Sequence, residues 1–218
     1  MTDVDRLIMQ IAVLAQPKRA APRALPAVFI LWLSLVCAGI AALWLYSTAP
    51  GKDGEPPHQW PSSSSLQRRA ETSTLLMFVH PKCPCSRASI GELAALLAHS
   101  GGRLCVKVIF LQPPGEADSW VHTGLWHAAS ELPGTEIISD LDSRETKLFR
   151  AAVSGETFVY DASGHLRFHG GITVARGHLG DNAGCSAIEC YANTGTIPLS
   201  RTPAFGCPLF SESTFRVP

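Results

Sequence analysis

The first long pattern along the chain is an apolar one. No charged residue occurs from Ala24 to Gly51, and Ala27 to Tyr46 reads AVFILWLSLVCAGIAALWLY. A helix needs about 20 such residues to cross the hydrocarbon core of a bilayer, so residues 25–46 are expected to form a transmembrane helix. Trp32, Trp44 and Tyr46 match an interfacial aromatic belt only loosely, because Trp32 lies some way inside the run. A cleavable signal peptide is the alternative, and it fits less well: the run is longer than an h-region and no small-x-small site follows Tyr46. Beyond the run, Ser47–Ser73 contains Pro50, Pro56, Pro57, Pro61 and four consecutive serines from Ser62 to Ser65. That composition predicts a semi-flexible spacer with almost nothing to bury.

From Thr74 onward the pattern alternates. Thr74–His80 reads as a buried strand and Leu104–Leu111, apolar except for Lys107, as the next one, whereas Ser89–His99 places Ile90, Leu93, Ala94 and Leu97 on one helical face. Further helices are expected around Trp120–Glu131, at Arg144–Val153 and at Gly184–Asn193, with a short strand at Thr135–Ile138. Thr157–Tyr160 and His165–His169 flank Asp161-Ala-Ser-Gly164, a hairpin turn with glycine where a positive φ is cheap. The order β-α-β-α-β-α-β-β-α predicts an α/β sandwich, a central mixed sheet with flanking helices and an antiparallel hairpin at one edge. The organisation is therefore a tail at 1–24, a transmembrane helix at 25–46, a linker at 47–73 and one domain at 74–218.

Charge sets the topology and removes some partners. Among 218 residues, 18 Lys+Arg balance 18 Asp+Glu, which leaves no basic surplus for nucleic acid, and 46% hydrophobic content excludes disorder throughout. Arg6, Lys18, Arg19 and Arg23 precede the span against Asp3 and Asp5, while Lys52 follows it with Asp53 and Glu55. The positive-inside rule then keeps the N-terminus cytoplasmic and sends the domain outside, into the periplasm in a bacterium. That compartment is oxidising, so the seven cysteines are read for redox chemistry.

Two of them lie where the first strand hands over to its helix, in His80-Pro-Lys-Cys83-Pro84-Cys85-Ser86. A helix N-terminus stabilises a thiolate, and Lys82, Arg87 and His80 are expected to add positive charge. A thiolate so placed attacks disulfides. The plainer alternative is a structural or vestigial pair.

The stretch Leu76-Met-Phe-Val-His-Pro-Lys-Cys-Pro-Cys-Ser and the later Thr157-Phe-Val-Tyr-Asp-Ala-Ser-Gly-His-Leu-Arg-Phe resemble thioredoxin-fold thiol–disulfide proteins of the membrane-tethered, extracytoplasmic type. Gly170-Gly-Ile-Thr-Val-Ala-Arg-Gly-His-Leu-Gly-Asp-Asn182 is similar, more narrowly, to a RedB-like branch. The resemblance implies a thioredoxin-like sandwich, a thiol–disulfide oxidoreductase activity needing no cofactor or metal, and partners that are extracytoplasmic or membrane proteins with exchangeable thiols. It makes Cys83 the nucleophile.

The chain also departs from that pattern. It has C-P-C-S in place of C-x-x-C, so two mechanisms compete: Cys85 resolves the mixed disulfide through a tighter ring, or Cys83 acts as a monothiol with Ser86 beside it. Glu156-Thr157 stands where the resemblance would put a cis-proline pair. A trans peptide and a Glu156 carboxylate close to the thiols, opposing thiolate formation, are expected there. The loop Gly170–Asn182 should return near Cys83, where Arg176, His178 and Asp181 could supply charge or bind substrate.

Cys105 reads as a small core residue. Cys185 and Cys190, five apart, fall on different helical faces, and a structural disulfide from Cys207 to one of them is a further expectation. Two other functions stay open. Cys83, Cys85 and a histidine such as His80 or His178 would form a soft ligand set for Cu(I) binding and delivery; alternatively the domain is a non-catalytic binding module. No hydrolase elbow, phosphate loop or dinucleotide fingerprint is present.

Overall fold

The computed structural model describes residues 24–210. The expected tail at 1–24, with the charges that precede the span, lies outside the described residues except for Ala24. The chain divides into two units between Trp44 and Leu45. Most of the first unit's described part belongs to helix α1, Ala24–Thr48, which is long and apolar enough to cross a membrane by length and composition. Its side chains, Cys37 included, are almost all exposed.

The second unit is built on five strands. Strand β1 is Ser73–Val79, helix α2 Ser86–Ser100 and strand β2 Leu104–Gln112. They are followed by helix α3 at Gly124–Ser130, strand β3 at Thr135–Leu141 and helix α4 at Arg144–Leu148. Strands β4, Glu156–Tyr160, and β5, Leu166–Gly170, precede helix α5, Ala183–Thr194. The sheet order is β3-β2-β1-β4-β5, with β1, β2 and β3 parallel and the β4–β5 hairpin antiparallel at one edge. This is the thioredoxin-like arrangement that the element order predicts.

Because successive strand residues face opposite sides, β1 feeds two cores. Leu75, Met77 and Val79 pack with Ile90, Leu93, Ile188 and Tyr191 on the side of α2 and α5. Leu76 and Phe78 meet Phe149, Phe158 and Tyr160 on the other. Helix α2 begins three residues earlier than the periodicity predicts and stops at Gly101, whose φ of 58° is a left-handed cap. Helix α4 is shorter than expected, ending before Arg150, where φ is 54°. Asp140 caps it: the carboxylate accepts from the Glu145 N–H, the Thr146 N–H and the Thr146 hydroxyl at 2.8, 2.8 and 2.6 Å.

The stretch expected as a free spacer is packed against the sheet. Leu66 is buried, and the Trp60 ring stands edge-on to Phe149 and Tyr160 at 5.0 and 5.2 Å between centroids. Trp60 N–H donates to Gly164 O, Leu166 N–H donates to His58 O, and the Tyr160 hydroxyl donates to Pro57 O. Ser64 and Ser65 hydroxyls donate to the buried Glu145 at 2.6 and 2.8 Å. Few apolar anchors suffice here because backbone groups and a buried carboxylate supply partners for the polar remainder.

The C-terminal arm is the other irregular element that is firmly held. It runs beside β5, where Ser200 O accepts from the His169 N–H and the Thr202 N–H donates to His169 O. It then crosses to the segment before β4 through a bridge between Val153 and Pro208. Ala204 and Leu209, 1% and 4% exposed, are buried on either side of Cys207.

Candidate active site

Strand β1 is buried along its length and is the middle strand of the sheet, so its C-terminal end opens onto the first turn of α2. That turn begins at the cysteine loop itself: Ser86 N–H donates to Cys83 O, and Ala88 N–H to Cys85 O. Cys85 occupies the N-cap without a side-chain cap bond. Cys83 is 2% exposed.

The arm brings a third sulfur. Cys83, Cys85 and Cys207 have their Sγ atoms within 4.8 Å of one another, and Cys83 Sγ is 2.8 Å from Cys207 Sγ. The expected bridge from Cys207 to Cys185 or Cys190 is thereby corrected. Cys185 contacts Glu92 and Ile172 O, and Cys190 contacts Thr194, because the arm passes under the entry to β4 and not along α5. Cys105 is half-buried in β2.

The three thiols differ in acidity. Burial pushes Cys83 up, but hydrogen bonds from the Cys207 thiol, the Ser86 hydroxyl and the backbone N–H groups of both residues outweigh it, leaving Cys83 below an ordinary thiol. Cys207 is pushed up to about 12, first by burial and then by donating to Cys83. Of the pair, Cys83 is therefore the thiol that ionises first. Cys85 is raised by burial and by the charge of Cys83, with Arg176 pulling it back.

Ser86 is fully buried and its Oγ lies 2.7 Å from Ser154 Oγ, which also accepts from the His80 N–H at 2.7 Å. Arg176 Nη1 donates to Gly206 O, so the arginine holds the arm and faces Cys85 together. The loop Gly170–Asn182 does return to the site: a methyl group on Gly177 would lie 3.9 Å from Cys85 Cα.

Other predicted residues are placed differently. The Lys82 ammonium sits over the Trp120 ring, 3.1 Å from its centroid. His80 is kept neutral, its pKa lowered by burial and by Lys82. Neither acts as the cation expected beside the thiols. Glu156 turns its carboxylate away from them, accepting from the Gly54, Ala152 and Val153 N–H groups at 2.9, 2.8 and 3.2 Å. Those three donors occupy its oxygens, and Glu156 is not among the groups that shift Cys83; burial pushes its own pKa up to about 7. The described residues contain no cis peptide bond, as the Glu156-Thr157 pair predicts. Thr157 is buried in β4, its hydroxyl donating to Gly155 O at 3.3 Å. His178 is exposed and its Nδ1 contacts Arg176 O at 2.7 Å.

Sequence reasoning missed Cys207, Ser154 and Gly206 as site residues. The available signal was faint. Cys207 is followed by a proline, as Cys83 is, and stands between Phe205 and Leu209-Phe210, an apolar frame that a free tail would not need.

No family model and no curated protein matches the chain. Solved structures do. A hypothetical protein of Sinorhizobium meliloti 1021 matches at TM-score 0.52 and 19% identity, over 75% of this chain and 94% of its own. An uncharacterized conserved protein from Geobacillus kaustophilus matches at 0.53 and 17%, over 76% and 93%. A solution structure of a thioredoxin-like protein in the oxidized form matches at 0.42 and 20%, over 67% and 93%. The likeness to the first two is one of fold alone.

Proposed function

We propose that this chain is a membrane-anchored thiol–disulfide exchange protein acting on thiols of extracytoplasmic or membrane proteins. The observation that carries the reading is the acidified Cys83 at the mouth of α2, with other thiols in reach. The chemistry needs no cofactor. The Cys83 thiolate attacks one sulfur of a substrate disulfide, forming a mixed disulfide and expelling the other sulfur as a thiolate, which takes up a proton. A second thiol of the cluster then releases the substrate. Cys85 is the one carried on the same loop, and it loses the opposing charge of Cys83 once Cys83 is bonded. Helix α1 supplies the anchor, with the N-terminal tail inside by the positive-inside rule, and confinement to one membrane raises the encounter rate with partners there.

The test is a redox titration of the full chain in detergent micelles against glutathione buffers, counting free thiols. Two thiols should disappear together, and Cys83→Ala should abolish exchange; unaltered exchange in Cys83→Ala refutes the reading. Labelling intact cells with a membrane-impermeant maleimide checks which side the domain occupies.

A second reading is favoured by the sulfur cluster itself. Three soft ligands within 4.8 Å of one another suit Cu(I). Cys207 takes the place expected for His80 or His178, neither of which belongs to the cluster. Stoichiometric Cu(I) binding that disappears in Cys83→Ala, without disulfide turnover, would select this function.

A further inference from the structure

We infer that Cys207 is the resolving thiol of this site, presented to Cys83 by a C-terminal arm hydrogen-bonded to the segment that enters β4. The inference rests on the exchange reading and names the partner thiol within it.

Position is the first reason. A disulfide holds its sulfurs about 2.05 Å apart, and Cys83 and Cys207 already stand at 2.8 Å. Less than 1 Å of approach closes the bond. Cys85 is worse placed. The cysteine loop runs straight into α2, with Ser86 N–H on Cys83 O at 3.2 Å and Ala88 N–H on Cys85 O at 3.1 Å. The Cys85 sulfur lies within 4.8 Å of both others, but a Cys83–Cys85 disulfide would join residues only two apart, through a ring one residue smaller than that of C-x-x-C, which strains the bond.

The arm is also seated, not merely adjacent. On one side of Cys207, Ala204 N–H donates to Asp53 Oδ1 at 3.0 Å and Ala204 O accepts from the Gly51 N–H at 2.8 Å. On the other, Leu209 N–H donates to Ala152 O at 2.8 Å. Between them Cys207 O accepts from the Ser154 N–H at 2.8 Å, and Arg176 holds Gly206 O. Gly206 lies so close to Ser154 that a Cβ there would fall 2.0 Å from Ser154 O. The arm is thus tied by backbone bonds on both sides of Cys207, which fixes its cysteine on Cys83.

The steps balance. The Cys83 thiolate attacks a substrate disulfide, giving the Cys83–substrate mixed disulfide and one free substrate thiol. With the charge on Cys83 gone, Cys207 loses its acceptor and yields its proton to solvent. The Cys207 thiolate attacks the Cys83 sulfur, forming the Cys83–Cys207 disulfide and expelling the second substrate thiolate, which is protonated. The substrate disulfide gains two electrons and the cysteine pair gives them up. A later dithiol donor reverses the sequence and resets the pair.

The test uses oxidised glutathione on the fully reduced full chain in detergent micelles, with acid quenching, alkylation and peptide mapping by mass spectrometry. Wild type and Cys85→Ala should both yield a cross-linked peptide pair joining Cys83 to Cys207. In Cys207→Ala the Cys83–glutathione adduct should persist about ten-fold longer or more, since the attacking thiol is missing. A wild-type map joining Cys83 to Cys85, or an adduct lifetime unchanged in Cys207→Ala, overturns the inference and leaves exchange at Cys83 standing. If no adduct forms at Cys83 in any form of the protein, the exchange reading itself fails. The wild-type map needs no substitution, so it decides the matter even if a variant does not fold.

Discussion

Gly206→Ala is the sharpest perturbation of the seat that holds the arm. The added methyl would fall 2.0 Å from Ser154 O and 3.0 Å from Ser154 C and Val153 Cγ1. Two of these atoms are backbone at the entry to β4, in the middle of the fold, so the arm is the part that yields. Relief to an ordinary contact near 3.4 Å requires a retreat of more than 1 Å. The bond from the Ser154 N–H to Cys207 O and the Cys207 contact with Cys83 cannot both survive that shift. A hydrogen bond to a charged group contributes about 1.5–3 kcal/mol, and one pKa unit corresponds to about 1.4 kcal/mol. The Cys83 thiol should therefore titrate higher in the variant, since the bonds that hold it down are lost, with the relief of burial offsetting part of the rise. A single-pH alkylation rate would mislead, because a displaced arm also uncovers Cys83 and speeds reagent entry. The assay is accordingly the pH midpoint of Cys83 alkylation by iodoacetamide, followed by mass spectrometry on the reduced full chain. A midpoint equal to that of the wild type, in a variant that still melts cooperatively, would refute the argument that the arm tunes Cys83.

Three further outcomes follow from the same contacts. Glu156 titrates at about 7 in the folded protein against 4.5 in the unfolded chain, so the folded state retains a proton there that the unfolded state releases. Its contribution to stability is full below pH 4.5 and is lost as pH rises through about 7, at up to about 1.4 kcal/mol per unit; chemical denaturation across this window should give a slope that Glu156→Gln removes. Cys83→Ala should lower the alkylation midpoint of Cys207 from about 12 while leaving it above an ordinary thiol, since burial remains when the acceptor is gone. Trp60→Ala should cost about 2 kcal/mol in urea unfolding, less than full burial of the ring would imply because it is only partly covered; no loss would mean that residues 53–66 are the loose spacer their composition suggests.

Much of the fold is legible because its elements are periodic. The runs at β1 and β2 are mostly apolar since both faces of those strands are covered, and the Asp161-Ala-Ser-Gly164 turn marks the hairpin by its glycine, whose φ is 85°. The cysteine loop is legible for the same reason, since it sits where one period stops and another begins. What the sequence hides depends on contacts between distant segments with no period of their own. Cys207 meets Cys83 across 124 residues, through an arm whose conformation is fixed by backbone bonds to Gly51, Ala152 and Ser154. Trp60 and Leu66 are too few to outweigh the prolines and serines around them, yet they are enough once Glu145 and the hairpin turn provide partners. Glu156 looked like a charge facing the thiols because its position in β4 is right; the direction of its carboxylate is decided by three N–H groups, one of them at Gly54.

The close covering of Cys83 bears on how long the site lasts under oxidant. Cys83 is only 2% exposed, and peroxide is among the molecules small enough to reach it. Peroxide would turn Cys83 to the sulfenic acid, which is reversible, and a second equivalent would drive it to the sulfinic acid, from which ordinary thiols offer no return. Cys207 stands 2.8 Å away. Its thiol condenses with the sulfenic acid, water leaves, and the product is a disulfide that any dithiol reductant restores. The arm thus works as a safeguard against irreversible damage, catching the first oxidation before a second molecule of peroxide arrives.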